Sequence, residues 1–156
     1  MESLHKRGYR PAIGNAPLKE NLASGLINMT QWNGEVPLID FMCGSGTFLI
    51  EAVNQFLEVP INIKQEYLFE NWLDFRRDIY LKEKNKAKNK IINYEKLPRI
   101  IGCEINKNVF DQANVNISLA RLENYIEIIN NDFLELQLSC TPGIIICNPP
   151  LSLIHI

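Results

Sequence analysis

Hydrophobic and polar positions along the chain form short apolar runs that alternate with longer amphipathic stretches. Runs at residues 36–39, 100–103, 126–129 and 144–147 predict four short buried β-strands. Apolar residues at helical spacing predict helices over residues 16–31, from Gly46 to about Leu57, and after Glu104. Short strands separated by helices are typical of an α/β fold, here a mostly parallel sheet with flanking helices.

Two segments depart from this pattern. Residues 61–98 begin with an aromatic-rich stretch, and residues 82–90 then carry five lysines and one glutamate. We interpret this segment as a helical insertion whose lysine run is a solvated face, with RNA contact as the alternative. Residues 1–15 are polar and predict a solvated, partly extended arm, with a phosphate-facing arm as the alternative. Without repeats or a low-complexity linker, residues 1–156 are expected to form one domain.

Composition narrows the classes of function. The 156 residues carry a net charge of −2, so any nucleic-acid binding must come from a local patch or from another domain. The four cysteines form no Cys-x-x-Cys pair and only two histidines occur, which disfavours a metal site. Reduced thiols, the absence of a signal peptide and the absence of a membrane-length apolar run favour a cytoplasmic protein that does not bind membranes.

A turn at the end of the first strand predicts a cofactor site. Gly44 and Gly46 let the backbone approach a ligand, and the helix that follows offers unpaired N–H groups. Leu49 occupies the place of the third glycine of a dinucleotide fingerprint, and Asp40 would repel a pyrophosphate. A ligand with an amino or cationic group, such as the methionine part of S-adenosylmethionine, suits this turn better. The alternative is a plain strand-to-helix turn. The candidate cofactor residues here are Asp40, Met42, Cys43, Gly44, Ser45, Gly46 and Thr47.

Two more acidic residues follow later strands. Glu104 could accept hydrogen bonds from both ribose hydroxyls of a nucleoside, although a strand-end acid is commonly just solvated. Asp132 could accept from an adenine amino group while Phe133 flanks the ring, or it could form an ordinary turn. Three acids that end three successive strands favour one cofactor site at that edge of the sheet.

The tripeptide Asn148-Pro149-Pro150 follows the last predicted strand. The asparagine side-chain oxygen and the Pro149 carbonyl can accept hydrogen bonds from an exocyclic NH2 group, and they would stabilise that nitrogen as it becomes more cationic during alkylation. Alone, the tripeptide also suits a plain strand-ending turn. After the glycine turn and the acids, it predicts methyl transfer to an amine.

The chain resembles the THUMP-associated, S-adenosylmethionine-dependent RNA methyltransferases, and within them the bacterial enzymes that methylate the guanine exocyclic amine in large-subunit rRNA. The resemblance covers nearly all of residues 3–150. It is carried by the segments Leu4-His5-Lys6-Arg7-Gly8-Tyr9-Arg10, Ala16-Pro17-Leu18-Lys19-Glu20, residues 37–47, Phe69-Glu70-x-Trp72 and Gly102-x-Glu104-Ile105-Asn106.

The resemblance implies a Rossmann-like class I methyltransferase fold and S-adenosylmethionine as the cofactor. It implies that residues 40–47 hold the methionine part, that Glu104 and Ile105 lie at the ribose, and that Asp132 and Phe133 lie at the adenine. Residues 148–150 would be catalytic at the target amine of a flipped-out nucleotide in rRNA. Substrate contacts would come from Arg7, Arg10 and Leu151, with Pro17 and Leu18 beside the cofactor. Adenine amine methylation in DNA or RNA, and a catalytically inactive cofactor-binding remnant, stay open as alternatives.

Three departures from the family accompany this likeness. Leu151 replaces the aromatic residue that usually follows the two prolines. No THUMP domain precedes the motifs, and only residues 152–156 follow Leu151, where the family has about three more strands. We therefore expect a truncated domain with the strand at 144–147 on an exposed edge, which favours self-association and low stability and activity.

Overall fold

The computed structural model of the chain describes residues 7–9, 18–60, 66–89, 97–138 and 142–150. Its strands are β1 (Leu38–Asp40), β2 (Ile100–Cys103), β3 (Ile126–Ile129) and β4 (Ile144–Ile145). They form one sheet in the order β3-β2-β1-β4, and all three neighbouring pairs are parallel. The predicted α/β architecture with a parallel sheet is therefore confirmed. The strand order turns back at β1, which has β2 on one side and β4 on the other.

The helices of the described residues are α1 (Glu20–Met29), α2 (Thr47–Phe56), α3 (Arg77–Lys88) and α4 (Lys107–Ala120). Short 3-10 turns occupy Leu68–Asn71 and Phe133–Glu135. The helices α2 and α4 connect β1 to β2 and β2 to β3, which are successive parallel crossovers in one direction. None of the helices in the described ranges is long and apolar enough to cross a membrane.

Helix α2 is the centre of the core. Every residue from Thr47 to Asn54 is buried, and these include the polar residues Thr47, Glu51 and Asn54. Burial extends beyond the apolar positions because α2 is covered on two sides: it contacts β1 and β2, and it also packs against α1. Tyr9, only 5% exposed, joins the same hydrophobic cluster. A helix with neighbours on both sides buries polar side chains as well as apolar ones.

The first described segment also differs from the prediction. Residues 7–9 were expected to belong to a solvated arm, but the Tyr9 hydroxyl donates a hydrogen bond to Glu51 Oε1 at 3.1 Å. Arg7 Nε lies 3.7 Å from Glu51 Oε2, and the Arg7 side chain is 15% exposed. These residues are thus bound to α2, because a fully buried carboxylate there offers them acceptors. The rest of the predicted arm lies outside the described residues.

Strand β4 is at one end of the sheet among the described residues. Its two residues pair with β1, and the Ile146 N–H adds a hydrogen bond to Ile39 O at 2.9 Å. The strand is shorter than the predicted run to Cys147. A Cβ atom on Gly143 would lie 2.5 Å from Pro37 O, so glycine permits the close approach to β1. Ile145 is 60% exposed, which leaves apolar surface at this end of the sheet.

Candidate functional site

The carboxyl ends of the four parallel strands meet at one edge of the sheet. The register pairs Asp40 with Gly102, and it pairs Cys103 with Ile129 in the neighbouring strand. The residues that follow each strand, including Glu104, Asp132 and Asn148, therefore begin from the same edge. In open parallel sheets this edge, next to the point where the strand order turns back, is where ligands bind.

The glycine turn between β1 and α2 is fixed by backbone contacts. Cys43 N–H donates to Cys103 O at 2.9 Å, and Gly46 N–H donates to Cys43 O at 2.9 Å. Gly44 and Gly46 have φ angles of +54° and +81°, which glycine adopts at little cost. A Cβ atom on Gly44 would meet no atom within 4 Å, so bare backbone faces open space there. Gly46 precedes α2 and provides no side-chain acceptor for its first turn, and the N-terminus of a helix attracts anionic groups.

Glu104 joins the turn to the end of β2. Its Oε2 accepts a hydrogen bond from Gly44 N–H at 3.1 Å, and its Oε1 accepts from Asn106 N–H at 2.9 Å. The carboxylate therefore organises the glycine turn, a role that the sequence did not predict. Ile105, next to it, is 67% exposed. The predicted contacts of Glu104 and Ile105 with a ribose stay predictions.

Asn130 is a further residue that sequence reasoning missed. Its Nδ2 donates to the backbone oxygens of Glu104 at 2.7 Å and of Ile105 at 3.2 Å. The side chain thus holds the loop after β2 against the loop after β3. The signal in the sequence was the pair of asparagines that directly follows the apolar run of β3, a position where amide side chains often bond neighbouring backbone.

Asp40 is buried, with 1% of its surface exposed. Its Oδ1 accepts from Met42 N–H at 3.1 Å, and the Cys147 thiol shares a second hydrogen bond with the carboxyl group. Burial raises the pKa of Asp40 to about 7; the two hydrogen bonds oppose this rise, and the nearby Glu104 carboxylate adds to it. A cationic group placed beside Asp40 would favour its ionised form.

Cys147 connects the cofactor turn to the predicted acceptor motif. It shares a hydrogen bond with Asp40 and directly precedes Asn148. Asn148, Pro149 and Pro150 are exposed, and the Asn148 amide makes no hydrogen bond with the described residues. The structure therefore brings the tripeptide to the strand edge that carries Asp40, as the sequence predicted, and leaves its acceptor groups accessible.

Asp132 and Phe133 follow β3. Asp132 Oδ1 accepts from Leu134 N–H at 3.0 Å and so caps the 3-10 turn Phe133–Glu135. The Phe133 ring, 36% exposed, lies 6.0 Å from the Phe41 ring, centroid to centroid. The turn alternative thus accounts for part of the sequence pattern, and the contacts with adenine stay predictions.

Asn116 supports the turn from α4. It is 2% exposed, and its Nδ2 donates to Ser45 O at 3.0 Å across 71 residues of sequence. Ser45 Oγ in turn lies 3.4 Å from Thr47 Oγ1. A polar residue between Ala113 and Ile117 on the apolar face of α4 was the available signal.

The predicted substrate residues fall in different places. Arg7 faces Glu51 rather than open solvent, so its predicted RNA contact has no support in this geometry and stays a prediction. Arg10 and Leu151 lie outside the described residues. Among the cysteines, Cys43, Cys103 and Cys147 are free thiols, and burial raises the pKa of each, which keeps them protonated. Cys140 lies outside the described residues.

The donor set suits a ligand that combines a cation with hydrogen-bond donors and a carboxylate. Asp40 and Glu104 form an acidic pair at one strand edge, and the uncapped start of α2 adds backbone N–H donors beside them. S-adenosylmethionine carries an amino cation, a sulfonium, ribose hydroxyls and a carboxylate. The residues present therefore fit this cofactor.

Comparison with protein families gives a match over nearly the whole chain. A family described as UPF0020, RMKL-like, methyltransferase domain, matches residues 7–152. The chain is 40% identical over 149 residues to "Putative RNA methyltransferase slr0064" of Synechocystis. This alignment covers 95% of the chain and 38% of that protein. The chain is also 34% identical, over an alignment of 161 positions, to "Ribosomal RNA large subunit methyltransferase K/L" of Cellvibrio japonicus. This alignment covers 96% of the chain and 21% of that protein.

Two solved structures share the architecture. One is described as "SMU.472, a putative methyltransferase complexed with SAH", with 28% identity and a TM-score of 0.81 over 94% of the chain and 38% of that protein. The other is described as "a predicted N6-adenine-specific DNA methylase" from Listeria monocytogenes, with 32% identity, a TM-score of 0.81 and the same coverage. The chain thus spans well under half of the length of each of these proteins.

Proposed function

Because the chain belongs to the RMKL-like methyltransferase domain family (UPF0020), we propose that it binds S-adenosylmethionine and is part of an enzyme that methylates the exocyclic amine of a guanine in large-subunit rRNA. The observation that carries this proposal is the parallel pairing of β1 with β4, in which Ile146 N–H also donates to Ile39 O at 2.9 Å. The pairing brings the turn suited to the cofactor and Asn148 to the ends of neighbouring strands, so a methyl donor and an acceptor amine would meet at one strand edge.

The cofactor would lie along the ends of β1, β2 and β3. When bound, it supplies an electrophilic methyl group on a sulfonium. Asp40 and Glu104 would balance the charge of its methionine part and accept from its ribose hydroxyls, and the first amides of α2 would receive its carboxylate. Asp132 would accept from the adenine amino group beside Phe133. The structure of SMU.472 with SAH supports this choice of cofactor.

The acceptor amine would lie at Asn148–Pro150. A base amine is a poor nucleophile because its lone pair is conjugated with the ring. The Asn148 side-chain oxygen and the Pro149 carbonyl would accept from its N–H groups and hold the lone pair toward the methyl donor. As the new N–C bond forms, the bond between the methyl group and the donor sulfur would break, and S-adenosylhomocysteine would be the leaving group. The nitrogen gains positive charge, these acceptors stabilise it, and its extra proton would then pass to water. The rigid prolines reduce the reorganisation that this alignment requires.

Calorimetric titration with S-adenosylhomocysteine tests the cofactor site. Wild type should bind, and Asp40→Ala should bind about tenfold to a hundredfold more weakly, because a charge-assisted contact is lost. Asp74→Ala, which removes an exposed carboxylate outside the site, is the matched control and should bind like wild type. Equal affinity of the Asp40 variant and wild type would show that the cofactor assignment is wrong.

Nucleoside mass spectrometry of rRNA tests the reaction. A deletion strain should lack one N2-methylguanosine, and the complete gene should restore it. The same gene with Asn148→Ala should not restore it, because the amine loses its side-chain acceptor. Unchanged rRNA in the deletion strain, with normal binding of S-adenosylhomocysteine, would favour a non-catalytic cofactor-binding protein.

Adenine amine methylation is the second candidate. It is favoured by the 32% identity to the Listeria monocytogenes protein whose description names N6-adenine and DNA. An Asn-Pro-Pro motif serves either base, because both exocyclic amines are conjugated with a ring and carry two N–H groups. The same digest separates the candidates, since a loss of N6-methyladenosine from rRNA or from genomic DNA would identify this reaction.

The location and assembly of the chain are proposed on similar grounds. A role in rRNA modification would be carried out in the cytoplasm, in keeping with the free thiols of Cys43, Cys103 and Cys147. The side of β4 that has no partner among the described residues, together with the exposed Ile145, would promote self-association. Ile145→Lys should shift sedimentation profiles toward the monomer. An unchanged distribution would exclude this edge as the contact.

A further inference from the structure

Residues 66–89 contain a group of aromatic residues that pack against one another. The Phe69 ring lies 5.2 Å from Tyr67, 6.3 Å from Trp72, 5.6 Å from Phe75 and 5.7 Å from Tyr80, between centroids. None of these rings belongs to the core cluster around α2. The aromatic group therefore fixes the 3-10 turn against the start of α3, and the main core does not depend on it.

Helix α3 concentrates positive charge: it holds five of the sixteen lysine and arginine residues of the chain. Its twelve residues, none of them buried, include five basic and two acidic side chains, for a net charge of +3. The whole chain has a net charge of −2, so the remaining residues together carry −5. A connecting helix with no other task would not need to concentrate cations on a protein that is otherwise acidic. The separation of charge indicates a polyanionic partner for this helix.

The cations of α3 divide into two that have a partner within the helix and three that are available to a polyanion. Lys86 pairs with Glu83 at 2.6 Å, and Lys84 lies over the Tyr80 ring at 5.1 Å from its centroid. Arg77, Lys82 and Lys88 are exposed and make no ion pair with the described residues. They extend over about three turns of helix, with Arg77 and Lys88 on one side and Lys82 about 140° around the axis from Arg77. A flexible single strand that crosses the helix can therefore meet all three.

An aromatic surface adjoins this basic helix. Trp72 is 67% exposed although its edge contacts Phe69, and Leu73 beside it is fully exposed. An exposed tryptophan next to cations suits single-stranded nucleic acid, in which unstacked bases lie on aromatic rings while phosphates meet lysine and arginine. A polyanion without bases would use the cations alone.

We propose that residues 66–89 form an RNA-contacting arm, in which Arg77, Lys82 and Lys88 meet phosphates and Trp72 stacks on an unpaired base. The proposal rests on RNA as the substrate of the proposed function, and it adds a surface away from the cofactor turn. It replaces the sequence interpretation of the lysine run as a merely solvated face. The arm would offset the repulsion between RNA and the acidic remainder of the chain.

Fluorescence anisotropy with a labelled single-stranded RNA of mixed sequence tests the arm in the full chain. The plot of log affinity against log salt should be steep for wild type. For R77Q/K82Q/K88Q its slope should be smaller by about 2, because each phosphate contact contributes about 0.7. The affinity at low salt should fall by about tenfold or more. A triple variant with the wild-type slope would overturn the proposal.

The matched control is K19Q/K107Q/R121Q, which changes the net charge by the same amount on α4 and before α1. It should retain nearly the wild-type slope. Equal losses in the two triple variants would show that only the overall charge matters, and that the arm has no special role. Trp72→Ala should weaken binding by about fivefold or more without a change in slope, because stacking releases no counterions.

Titration with S-adenosylhomocysteine distinguishes a failure of the arm proposal from a failure of the proposed function. R77Q/K82Q/K88Q and Trp72→Ala should bind S-adenosylhomocysteine like wild type, because the arm lies apart from the residues at the strand edge. A wild-type chain that binds RNA through the arm but does not bind S-adenosylhomocysteine would refute the proposed function and leave the arm intact. A chain that binds S-adenosylhomocysteine but shows no RNA affinity would refute the arm.

Discussion

The backbone N–H of Gly44 donates a hydrogen bond to Glu104 Oε2 at 3.1 Å, although 60 residues separate the two in sequence. This contact joins the turn after β1 to the end of β2. It gives Glu104 a part in the shape of the glycine turn in addition to its proposed contact with the cofactor. Loss of the carboxylate should therefore disturb both the glycine turn and the proposed contact of Glu104 with the cofactor.

Glu104→Ala should weaken S-adenosylhomocysteine binding by about tenfold to a hundredfold, because hydrogen bonds to a charged group each contribute about 1.5–3 kcal/mol. Glu104→Gln should lose less, since one amide oxygen can still accept from Gly44. Calorimetry checks both. Glu127→Gln, which breaks the exposed 2.7 Å pair with Arg99, should bind like wild type. If Glu104→Ala bound S-adenosylhomocysteine with the affinity of wild type, that result would contradict a role for Glu104 in the site.

Stability should fall as pH rises through the range in which Asp40 ionises. The folded pKa is about 7, raised chiefly by burial, against an ordinary value of 3.8. Between these values the folded chain holds a proton that the unfolded chain has released, so a rise in pH favours unfolding. The full effect is up to about 4 kcal/mol, complete above the folded pKa and absent below the unfolded one.

Urea unfolding from about pH 5 to about pH 8 measures this dependence. Wild type should lose stability across the range, and Asp40→Asn should lose much less, because asparagine does not ionise. The two curves should therefore diverge toward high pH, with the variant relatively favoured there. Parallel curves would show that Asp40 is ionised in the folded chain at all these pH values.

Tyr9→Phe should destabilise the chain by about 1–3 kcal/mol, because the buried Glu51 carboxyl loses its 3.1 Å hydrogen bond. Burial already raises the pKa of Glu51, with Arg7 and Tyr9 opposing the rise. Tyr80→Phe, which removes a surface contact with Lys84, is the control and should change stability by less than about 0.5 kcal/mol. Equal small effects of the two variants would mean that residues 7–9 do not anchor on α2.

Gly102→Ala should cost about 1–3 kcal/mol of stability, because the new Cβ would lie 2.6 Å from Leu49 Cδ1 and 2.9 Å from Cys43 Sγ. Displacement of Cys43 should also weaken S-adenosylhomocysteine binding. Gly25→Ala on α1, where a Cβ meets no atom within 4 Å, should instead stabilise the chain by up to about 1 kcal/mol. A stable Gly102→Ala variant with wild-type binding would show that β2 and α2 can separate freely.

The local pattern was sufficient for the strands and for the order of elements. The apolar runs at 100–103 and 126–129 became β2 and β3 with the predicted bounds. β2 is buried along its whole length, whereas β3 buries only Ile126, so the bounds follow from the β-branched isoleucines that both runs share rather than from equal burial. The run predicted to end at Cys147 is longer than β4, whose ladder pairs with β1 are limited to Ile144 and Ile145. The Ile146 N–H still donates to Ile39 O at 2.9 Å, so the chain remains beside β1 after the strand ends.

The residues that support the site were harder to predict. Asn116, Asn130 and Cys147 bond to segments that lie far away in sequence, and their spacing shows no periodicity. Arg7 and Tyr9 were predicted to lie in a polar arm because their neighbours in sequence are polar. Their burial follows from Glu51, a residue more than 40 positions later, whose carboxylate requires donors once α2 is covered.

By itself, the sequence determined the chemistry at each strand end: Asp40, Glu104 and Asp132 as acids, the glycines of the turn, and the Asn148–Pro150 tripeptide. These follow from residue type and from the position of each after an apolar run. Only the tertiary structure decided which of them touch, how far Asp40 is buried, and that Cys147 links it to the acceptor motif. Burial and hydrogen bonding depend on atoms from distant segments, which meet only when the parallel strands pair in register.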